Sequence, residues 1–303
     1  MTASPIRAVL IAGPTASGKS ALGLEVARRI GGAVVNADAL QVYRDLRVLT
    51  ARPSAADEAA TPHRLYGHVD AAEPYAVGRW LAEATRLLEA ADQAPLVFVG
   101  GTGLYFEALT NGLAMVPEIP EAVRARWRAA PAAALHAELS RRDPEMAARL
   151  RPSDPQRLTR ALEVIDGTGR SLADWQRDAA RGPLAQEAAL RIVLAPERPA
   201  LDARIAQRLE GMIEAGAAEE AERLAARGLD PALPAMKALG VAPLVAWRRG
   251  ELDRAAALER VRLDTRRYAK RQTTWFRNRM ADWLHVDPKE ALVRVMNEIG
   301  RRG

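Results

Sequence analysis

Cysteine and long apolar runs are missing from this 303-residue sequence, and each absence argues against a class of protein. Without cysteine there can be no disulfide, no cysteine-ligated zinc and no thiol nucleophile. No apolar run approaches the ~20 residues that cross a bilayer, and the N-terminus lacks a signal-peptide pattern. These absences predict a protein with no membrane partner, and the reducing cytoplasm is its simplest location.

Lysine is scarce: the 44 basic residues include only four lysines, and the formal net charge is +6. An excess of positive charge favours a polyanionic partner, but a bias toward arginine in the composition explains it equally well. The distribution of the basic residues has to decide between the two. Because lysines are few, the position of each one is informative.

One of the four lysines lies in a phosphate-binding pattern, Gly-x-x-x-x-Gly-Lys-Ser. An apolar run over residues 8–12 predicts a buried strand before it, and residues 21–30 predict a helix after it. The two glycines let backbone N–H groups turn toward phosphate oxygens, the lysine reaches the terminal phosphates, and the serine hydroxyl can ligate Mg²⁺. The sequence therefore predicts a phosphate or diphosphate site with Mg²⁺ as cofactor, formed by Gly13, Pro14, Thr15, Ala16, Ser17, Gly18, Lys19 and Ser20.

Two further strands are predicted to end at the same edge of a parallel sheet. Residues 33–37 form one and are followed by Asp38; residues 95–99 form the other and are followed by a glycine-rich loop that contains Thr102. Ligands bind at the carboxyl ends of the strands in such sheets. Asp38 is therefore predicted to face Lys19, although an aspartate at this place can also cap the next turn.

The middle of the chain predicts helices alone. Residues 115–187 contain no convincing strand, and Asp154-Pro155 opens a helix that continues through 156–164. We predict an α/β fold: a P-loop NTPase-like core with a parallel sheet flanked by helices, plus an all-helical insertion domain. The predicted domains are residues 1–114, the first part of the core; 115–187, the insertion; and 188–303, the second part of the core with basic C-terminal helices.

Basic residues concentrate in two helical stretches. Residues 198–227 predict one long helix, on which Arg204 and Arg208 could bind an anion together or form a solvated face. Residues 260–279 carry eight basic residues against one acid, with three aromatic residues interleaved, and this mixture favours nucleic acid. His63 and His68 have no third partner at metal-ligand spacing, so we interpret them as ordinary loop residues.

These features by themselves leave a small-molecule kinase with a helical lid as the default interpretation. Two observations weaken it. The strand over residues 95–99 ends in Gly-Gly-Thr instead of the aspartate that would hold a metal ion. The basic, aromatic C-terminal segment is also excessive for a metabolite kinase.

The motifs, in order along the chain, resemble those of the bacterial tRNA dimethylallyltransferase family. The resemblance rests on the phosphate loop, on Asp38 followed by Gln41-Val42-Tyr43-Arg44, on Gly100-Gly101-Thr102-Gly103-Leu104-Tyr105, on residues 154–164, and on Tyr268-Ala269-Lys270-Arg271-Gln272 with Trp275-Phe276-Arg277. It covers residues 9 to about 279, nearly the whole chain.

The resemblance implies transfer of a dimethylallyl group from its diphosphate to the exocyclic amine of the adenosine 3′ of the anticodon. Its partners would be dimethylallyl diphosphate and the anticodon stem-loop of tRNA, and the enzyme would be a monomer. The implied catalytic residues are Asp38 as general base, Lys19, Thr102 and Arg124. Arg204 joins the diphosphate site. The implied tRNA-binding residues are Asp38, Ala39, Leu40, Gln41, Thr102, Arg124, Gln156, Arg157, Leu158, Thr159, Arg160, Arg267, Lys270, Arg271, Gln272 and Trp275.

The chain departs from the family pattern at three positions. Ala39 replaces a usual serine, Arg52 a usual lysine, and Val241 a usual tyrosine. None of them lies in the phosphate loop. The closest rival is the branch that prenylates free adenine nucleotides, and a tRNA-binding protein without catalysis is a third reading, poorly compatible with an intact phosphate loop.

Overall fold

A computed structural model describes residues 6–91 and 94–302. A parallel sheet lies at its centre, in the order β3-β2-β4-β1-β5-β6. Its strands are β1 (Ala8–Ala12), β2 (Val34–Asn36), β3 (His63–Arg64), β4 (Leu96–Gly100), β5 (Ala189–Leu194) and β6 (Leu284–Val286). The predicted fold class is confirmed.

Helices make up most of the rest of the described chain. The first four are α1 (Lys19–Ile30), α2 (Ala55–Ala60), α3 (Val77–Glu89) and α4 (Gly103–Asn111). The next five are α5 (Glu121–Ala129), α6 (Ala132–Arg142), α7 (Pro144–Arg149), α8 (Pro155–Thr168) and α9 (Leu172–Arg177). The last five are α10 (Arg198–Glu214), α11 (Ala217–Ala226), α12 (Val241–Arg248), α13 (Arg254–Arg279) and α14 (Ala291–Arg302). None of these described helices is long and apolar enough to cross a membrane.

The central strands are buried on both faces of the sheet. Alternate side chains of a strand point to opposite faces, so each strand contributes to two apolar clusters. In β1, Leu10 packs into one apolar cluster with Trp80 and Phe106, while Val9 and Ile11 pack into another with residues of α1 and α14. A strand with this double burial needs a continuous apolar run, which is what residues 8–12 supply.

Strand register brings three loops to one edge of the sheet. Ala12, the last residue of β1, is paired with Gly100 of β4, and Asn36 of β2 is paired with Val99. The loops that follow these strands carry the phosphate-binding pattern, Thr102 and Asp38. Parallel pairing therefore assembles the predicted site from segments far apart in the sequence.

The described residues fall into two compact units, 6–110 with 183–302, and 111–182. The second unit contains α5 to α9 and has its own apolar core, which includes Trp127, Leu139 and Leu162. As predicted, α8 starts at an aspartate: Asp154 accepts a hydrogen bond from the N–H of Arg157 at 3.2 Å.

Three details of the fold differ from the sequence-based expectation. The stretch 198–227 is two helices, α10 and α11, because Gly216 adopts a left-handed conformation with φ 89°. His63, interpreted as a loop residue, lies in the short strand β3, and α2, which is capped by Ser54 and Asp57, precedes it. The strand β6 was not predicted. Short edge elements of two to six residues carry too little periodicity to be recognised.

Candidate active site

The phosphate loop, residues 13–20, connects β1 to α1 in a tight turn. The N–H of Ser17 donates to the carbonyl of Pro14 at 3.2 Å, and Gly18 enters the helix with φ 94°. A Cβ at Gly13 would lie 2.7 Å from Ser17 Oγ, which is closer than real contacts allow. Glycine is therefore required at both positions, for space at Gly13 and for its backbone conformation at Gly18.

Lys19 is the buried cation of this loop, with 8% of its surface exposed. Its Nζ donates to the carbonyl of Pro14 at 3.3 Å. Burial lowers the pKa of Lys19 to about 8; the Asp38 carboxylate opposes this shift, and the Arg208 guanidinium adds to it. A buried ammonium with a lowered pKa is short of negative partners, so the structure prepares this position for an anionic ligand.

We expect the binding of inorganic diphosphate to weaken as the pH rises through about 8. Below this pKa Lys19 is an ammonium and attracts the anion, and above it the amine is neutral. Calorimetric titrations between pH ~7 and ~9 measure the dissociation constant, and Lys19→Ala should lack this inflection. The same pH profile in both proteins would contradict a role for the Lys19 charge.

Two arginines of α10 lie on the phosphate loop. Arg204 Nη1 donates to the carbonyl of Ser17 at 3.1 Å, and Arg208 Nη1 donates to Thr15 Oγ1 at 3.2 Å. Burial lowers the pKa of Arg208, with Asp38 opposing the shift. Both side chains therefore contact the phosphate loop and do not form a fully solvated face. Arg208, which is not among the predicted diphosphate ligands, contacts the same loop as Arg204.

Asp38 lies across from these cations at the end of β2. Its Oδ1 accepts the N–H of Leu40 at 3.1 Å, so the carboxylate does organise the next turn. The Asp38 carboxylate also raises the pKa of Lys19, which is the effect expected if Asp38 faces Lys19 as predicted. A Cβ built on Gly101 would lie 3.3 Å from Asp38 Oδ2, so this second oxygen is directed at the glycine-rich loop. Asp38 therefore does both things that the sequence suggested: it faces Lys19 and it caps the next turn.

Thr102 and the residues after Asp38 form one hydrogen-bonded unit. Thr102 Oγ1 accepts the N–H of Ala39 at 3.0 Å. Gln41, which is 9% exposed, donates from Nε2 to the carbonyl of Thr50 at 2.7 Å. Ala39 and Leu40 are half-buried. The structure thus brings the predicted residues 38–41 and Thr102 together.

The loop over residues 47–51 is held by an acid that the sequence analysis missed. Glu220 of α11 is 5% exposed and accepts the backbone N–H groups of Arg47, Val48 and Leu49, each at 2.9 Å. The carbonyl of Thr50 in this loop accepts hydrogen bonds from Gln41 and, at 3.5 Å, from Arg208. One glutamate in an alanine-rich helix carries no sequence signal for such a contact.

Arg52 and Val241, two of the positions that depart from the family pattern, make contacts within the protein. Arg52 Nη1 donates to the carbonyl of Tyr43 at 3.2 Å. Val241 is 3% exposed and packs in the core.

Helix α13 presents both buried and exposed predicted residues. Gln272 is 5% exposed and contacts the phosphate loop. Trp275 is half-buried against Gly103, and its Nε1 has no hydrogen-bond partner in the described chain. The indole therefore packs on the glycine-rich loop, and less of its surface is available for the predicted contact with tRNA.

On α13, positive charge without a salt-bridge partner among the described residues is concentrated at three residues. Arg260, Arg262, Arg266, Arg267 and Arg279 form ion pairs with carboxylates. Lys270, Arg271 and Arg277 are exposed and have no salt bridge within residues 6–91 and 94–302. Arg271 lies 5.5 Å from the ring centroid of Tyr268. The positive surface of this helix is smaller than the composition predicts.

The helical unit places its predicted residues in different environments. Gln156, Arg157 and Arg160 are exposed on α8, and Thr159 is half-buried. Leu158 is fully buried in the core of the unit, so the prediction that it contacts tRNA is corrected: its side chain packs against other apolar residues. Arg124 donates from Nε to the carbonyl of Ile119 at 2.9 Å within the same unit.

A metal ion at this site would rest on Ser20. The residue is exposed in the first turn of α1. No group of three or more His, Asp or Glu side chains that could hold a metal occurs among the described residues, and His63 and His68 bond to Thr61 and Glu83. Mg²⁺ commonly uses few protein ligands and takes the rest from phosphates and water, so a single hydroxyl beside a phosphate loop fits it.

The fold and site together define a P-loop protein with three buried or half-buried cations around a phosphate cradle and a carboxylate opposite. A family model described as IPP transferase matches residues 41–279, and one described as isopentenyl transferase matches residues 6–71. Proteins named tRNA dimethylallyltransferase are 54% identical in Bradyrhizobium sp. (strain ORS 278), over 96% of this chain and 97% of theirs, and 56% identical in Methylobacterium nodulans, over 94% and 96%.

Solved structures agree with these sequence matches. The full-length tRNA isopentenylpyrophosphate transferase from Bacillus halodurans is 30% identical, with a TM-score of 0.71 over 98% of this chain and 96% of that one. A eukaryotic dimethylallyltransferase acting on tRNA is 25% identical, with a TM-score of 0.80 over 93% of this chain and 74% of that one. The chain belongs to the tRNA dimethylallyltransferase family and is a transferase, as the motifs predicted.

Proposed function

We propose that the chain transfers a dimethylallyl group from dimethylallyl diphosphate to the exocyclic amine of the adenosine 3′ of the anticodon in tRNA. The observation that carries the proposal is the arrangement of Lys19, Arg204 and Arg208 around the phosphate loop with Asp38 opposite. Cations on one side suit a diphosphate leaving group, and a carboxylate on the other suits an attacking amine.

On the donor side, the bond between C1 of the allyl group and the diphosphate oxygen breaks. The electron pair of that bond leaves with the diphosphate, whose growing charge is stabilised by Lys19, the loop N–H groups and the two arginines. Ser20 would hold Mg²⁺, which would offset further negative charge on the diphosphate.

On the acceptor side, the amine nitrogen forms the new bond to C1 and its proton moves to a carboxylate oxygen of Asp38. Oδ2, which is directed at the glycine-rich loop and accepts no hydrogen bond from the described residues, is the oxygen available for this proton. Thr102 holds the turn after Asp38 in place through the N–H of Ala39. The reaction balances without a redox partner.

An apolar cavity beside the phosphate loop supports a donor with a hydrocarbon tail. Its volume is about 60 Å³, and the polar side chains in its lining are those of Thr15, Arg208 and Thr265. Most of its lining is apolar and includes Leu49, Ile205, Leu209, Met212 and Val261. Three of the eleven lining residues, Thr15, Arg208 and Thr265, have hydrogen-bonding side chains, so the cavity suits a hydrocarbon group better than the base and ribose of a nucleotide.

The kinase alternative is weakened by the end of β4. A metal-binding aspartate would be expected there, and the residue is Gly100. A Cβ at this position would lie 1.9 Å from the carbonyl oxygen of Ala37, so no side chain fits.

A transfer assay with purified protein tests the proposal. The protein is incubated with dimethylallyl diphosphate, Mg²⁺ and an anticodon stem-loop that has adenosine 3′ of the anticodon, and the nucleosides are analysed by mass spectrometry. We expect a gain of C5H8 on that adenosine. Free AMP as acceptor tests the free-nucleotide alternative, and ATP with release of ADP tests the kinase. Prenylation of AMP alone, or nucleotide turnover without prenylation, would overturn the proposal.

For tRNA, we propose that the exposed residues Lys270 and Arg271 of α13, and Gln156, Arg157 and Arg160 of α8, contact the RNA backbone, and that Arg124 is a catalytic residue. The charge patterns support these roles, since phosphate contacts come mainly from exposed lysine and arginine. We also propose a cytoplasmic monomer. Light scattering of the purified protein tests the monomer.

Neutralising Lys270 and Arg271 together should weaken tRNA binding for all sequences and leave diphosphate affinity unchanged. Each lost phosphate contact should lower the salt slope of tRNA affinity by about 0.7–0.9. Titrations of labelled tRNA at several salt concentrations measure both effects. The matched control neutralises Arg28 and Arg29, two exposed neighbours paired with Glu25 on α1. Equal losses in both double variants would mean that net charge alone is responsible.

A further inference from the structure

Gln272 is the buried polar residue that joins the two loops of the site. It lies on α13 and is 5% exposed. Its Oε1 accepts the N–H of Thr15 in the phosphate loop at 2.9 Å, and its Nε2 donates to the carbonyl of Gly101 in the glycine-rich loop at 2.9 Å. The family resemblance implies that Gln272 binds tRNA. In the structure, however, its amide oxygen and its amide nitrogen are each hydrogen-bonded to backbone.

The space for the Gln272 amide depends on the absence of a side chain at Gly101. A Cβ at Gly101 would lie 2.2 Å from Gln272 Nε2, so the glycine makes room for the amide. The same point lies 3.3 Å from Asp38 Oδ2, so the peptide held by Gln272 also forms the wall beside the carboxylate. One side chain therefore ties the diphosphate cradle to the place where the amine must attack.

We propose that Gln272 is a positioning residue that sets the distance between the leaving group and the acceptor base. This inference rests on the proposed function. It gives Gln272 no contact with substrate: it acts by fixing Thr15 and Gly101. Lys270 and Arg271 are its exposed neighbours on α13, so a tRNA held by them is also held in register with both loops.

Both loops are satisfied only by a side chain that accepts a hydrogen bond at one end and donates one at the other. Oε1 must accept from an N–H, while Nε2 must donate to a carbonyl. Methionine keeps the size and removes both hydrogen bonds. An ionised glutamate keeps the bond to Thr15 but faces the Gly101 carbonyl with a negative oxygen. A protonated glutamate can donate its O–H to that carbonyl and reproduce the wild-type pattern.

The experiment compares Gln272→Met, Gln272→Glu and the control Thr274→Ala, an exposed position on the same helix. In single-turnover assays we expect Gln272→Met to lose on the order of 100-fold in rate, since small misplacements of reacting groups cost this much. Dissociation constants for diphosphate and tRNA should stay within about threefold of wild type, because the cations that bind them are retained. Thr274→Ala should match wild type.

The pH profile of Gln272→Glu gives the signature that a merely structural residue would not produce. We expect the ratio of its rate to the wild-type rate to rise as the pH falls, because burial raises the pKa of a carboxyl group and protonation restores the missing donor. Dividing by the wild-type rate removes the titration of the groups that both proteins share. A ratio that does not change with pH would overturn the proposal.

Amide hydrogen exchange supplies a test that needs no activity. Peptides covering residues 13–20 and 100–105 should both exchange faster in Gln272→Met and not in Thr274→Ala. If wild type transfers no prenyl group, the proposed function fails and this exchange still decides whether Gln272 joins the loops. If wild type is active and folded Gln272→Met is equally active, the positioning role fails alone. Should Gln272→Met not fold, Gln272→Glu decides through the pH ratio.

Discussion

Lys19→Ala is expected to lower the single-turnover rate of prenyl transfer by about 10²–10³-fold, the usual cost of removing one donor from a site of charge development. Lys19 is buried in the phosphate loop, and among the described residues its Nζ donates one hydrogen bond, to the carbonyl of Pro14. The effect should appear in the chemical step as well as in donor affinity, because the charge on the diphosphate is largest as it leaves.

The fold should survive this substitution. Burial lowers the pKa of Lys19, which means that the folded protein disfavours the ammonium relative to the unfolded chain. Below about pH 8 the charge therefore costs stability, and its removal should leave the melting temperature unchanged or raise it. Lys289→Ala, at an exposed site, is the matched control and should change neither rate nor melting temperature. Near-normal transfer by folded Lys19→Ala would refute the diphosphate assignment.

Asp38→Asn is expected to lower the same rate by about 10²–10⁴-fold, the range for loss of a general base, with diphosphate affinity little changed. Asparagine keeps an Oδ1 that can accept the N–H of Leu40, so the turn after β2 should persist. What it loses is the ability to take a proton. Single-turnover kinetics at saturating donor separates this loss from binding.

The control for this substitution is Asp282→Asn, an exposed aspartate that pairs with Arg191. It should transfer the prenyl group at the wild-type rate. If Asp38→Asn instead loses diphosphate binding and regains activity in excess Mg²⁺, then Asp38 belongs to a metal site and the base is another group.

Local sequence was sufficient for the elements whose signals are short-range. The apolar run of β1, the glycines and lysine of the phosphate loop, and the Asp154-Pro155 start of α8 each act on neighbouring residues. The structure therefore has them where the pattern predicts. The family was also recognisable from the sequence, because its motifs occur in order along nearly the whole chain.

Other features depend on packing between distant segments. Gln272 and Thr15 are 257 positions apart, and Glu220 is 173 positions from Arg47. Whether a glutamine faces solvent, tRNA or a backbone amide is decided by which helix face is buried, and a basic residue on a helix face is equally compatible with solvent or a ligand.

The sequence by itself therefore determined the phosphate loop, the parallel sheet and the family, since hydrophobic periodicity and glycine conformations are properties of neighbouring residues. Only the tertiary structure placed Arg208 on Thr15, buried Leu158 and turned Gln272 toward two loops at once. These outcomes follow from burial. Most buried polar groups find a partner where the fold brings one, and that partner need not be near in sequence.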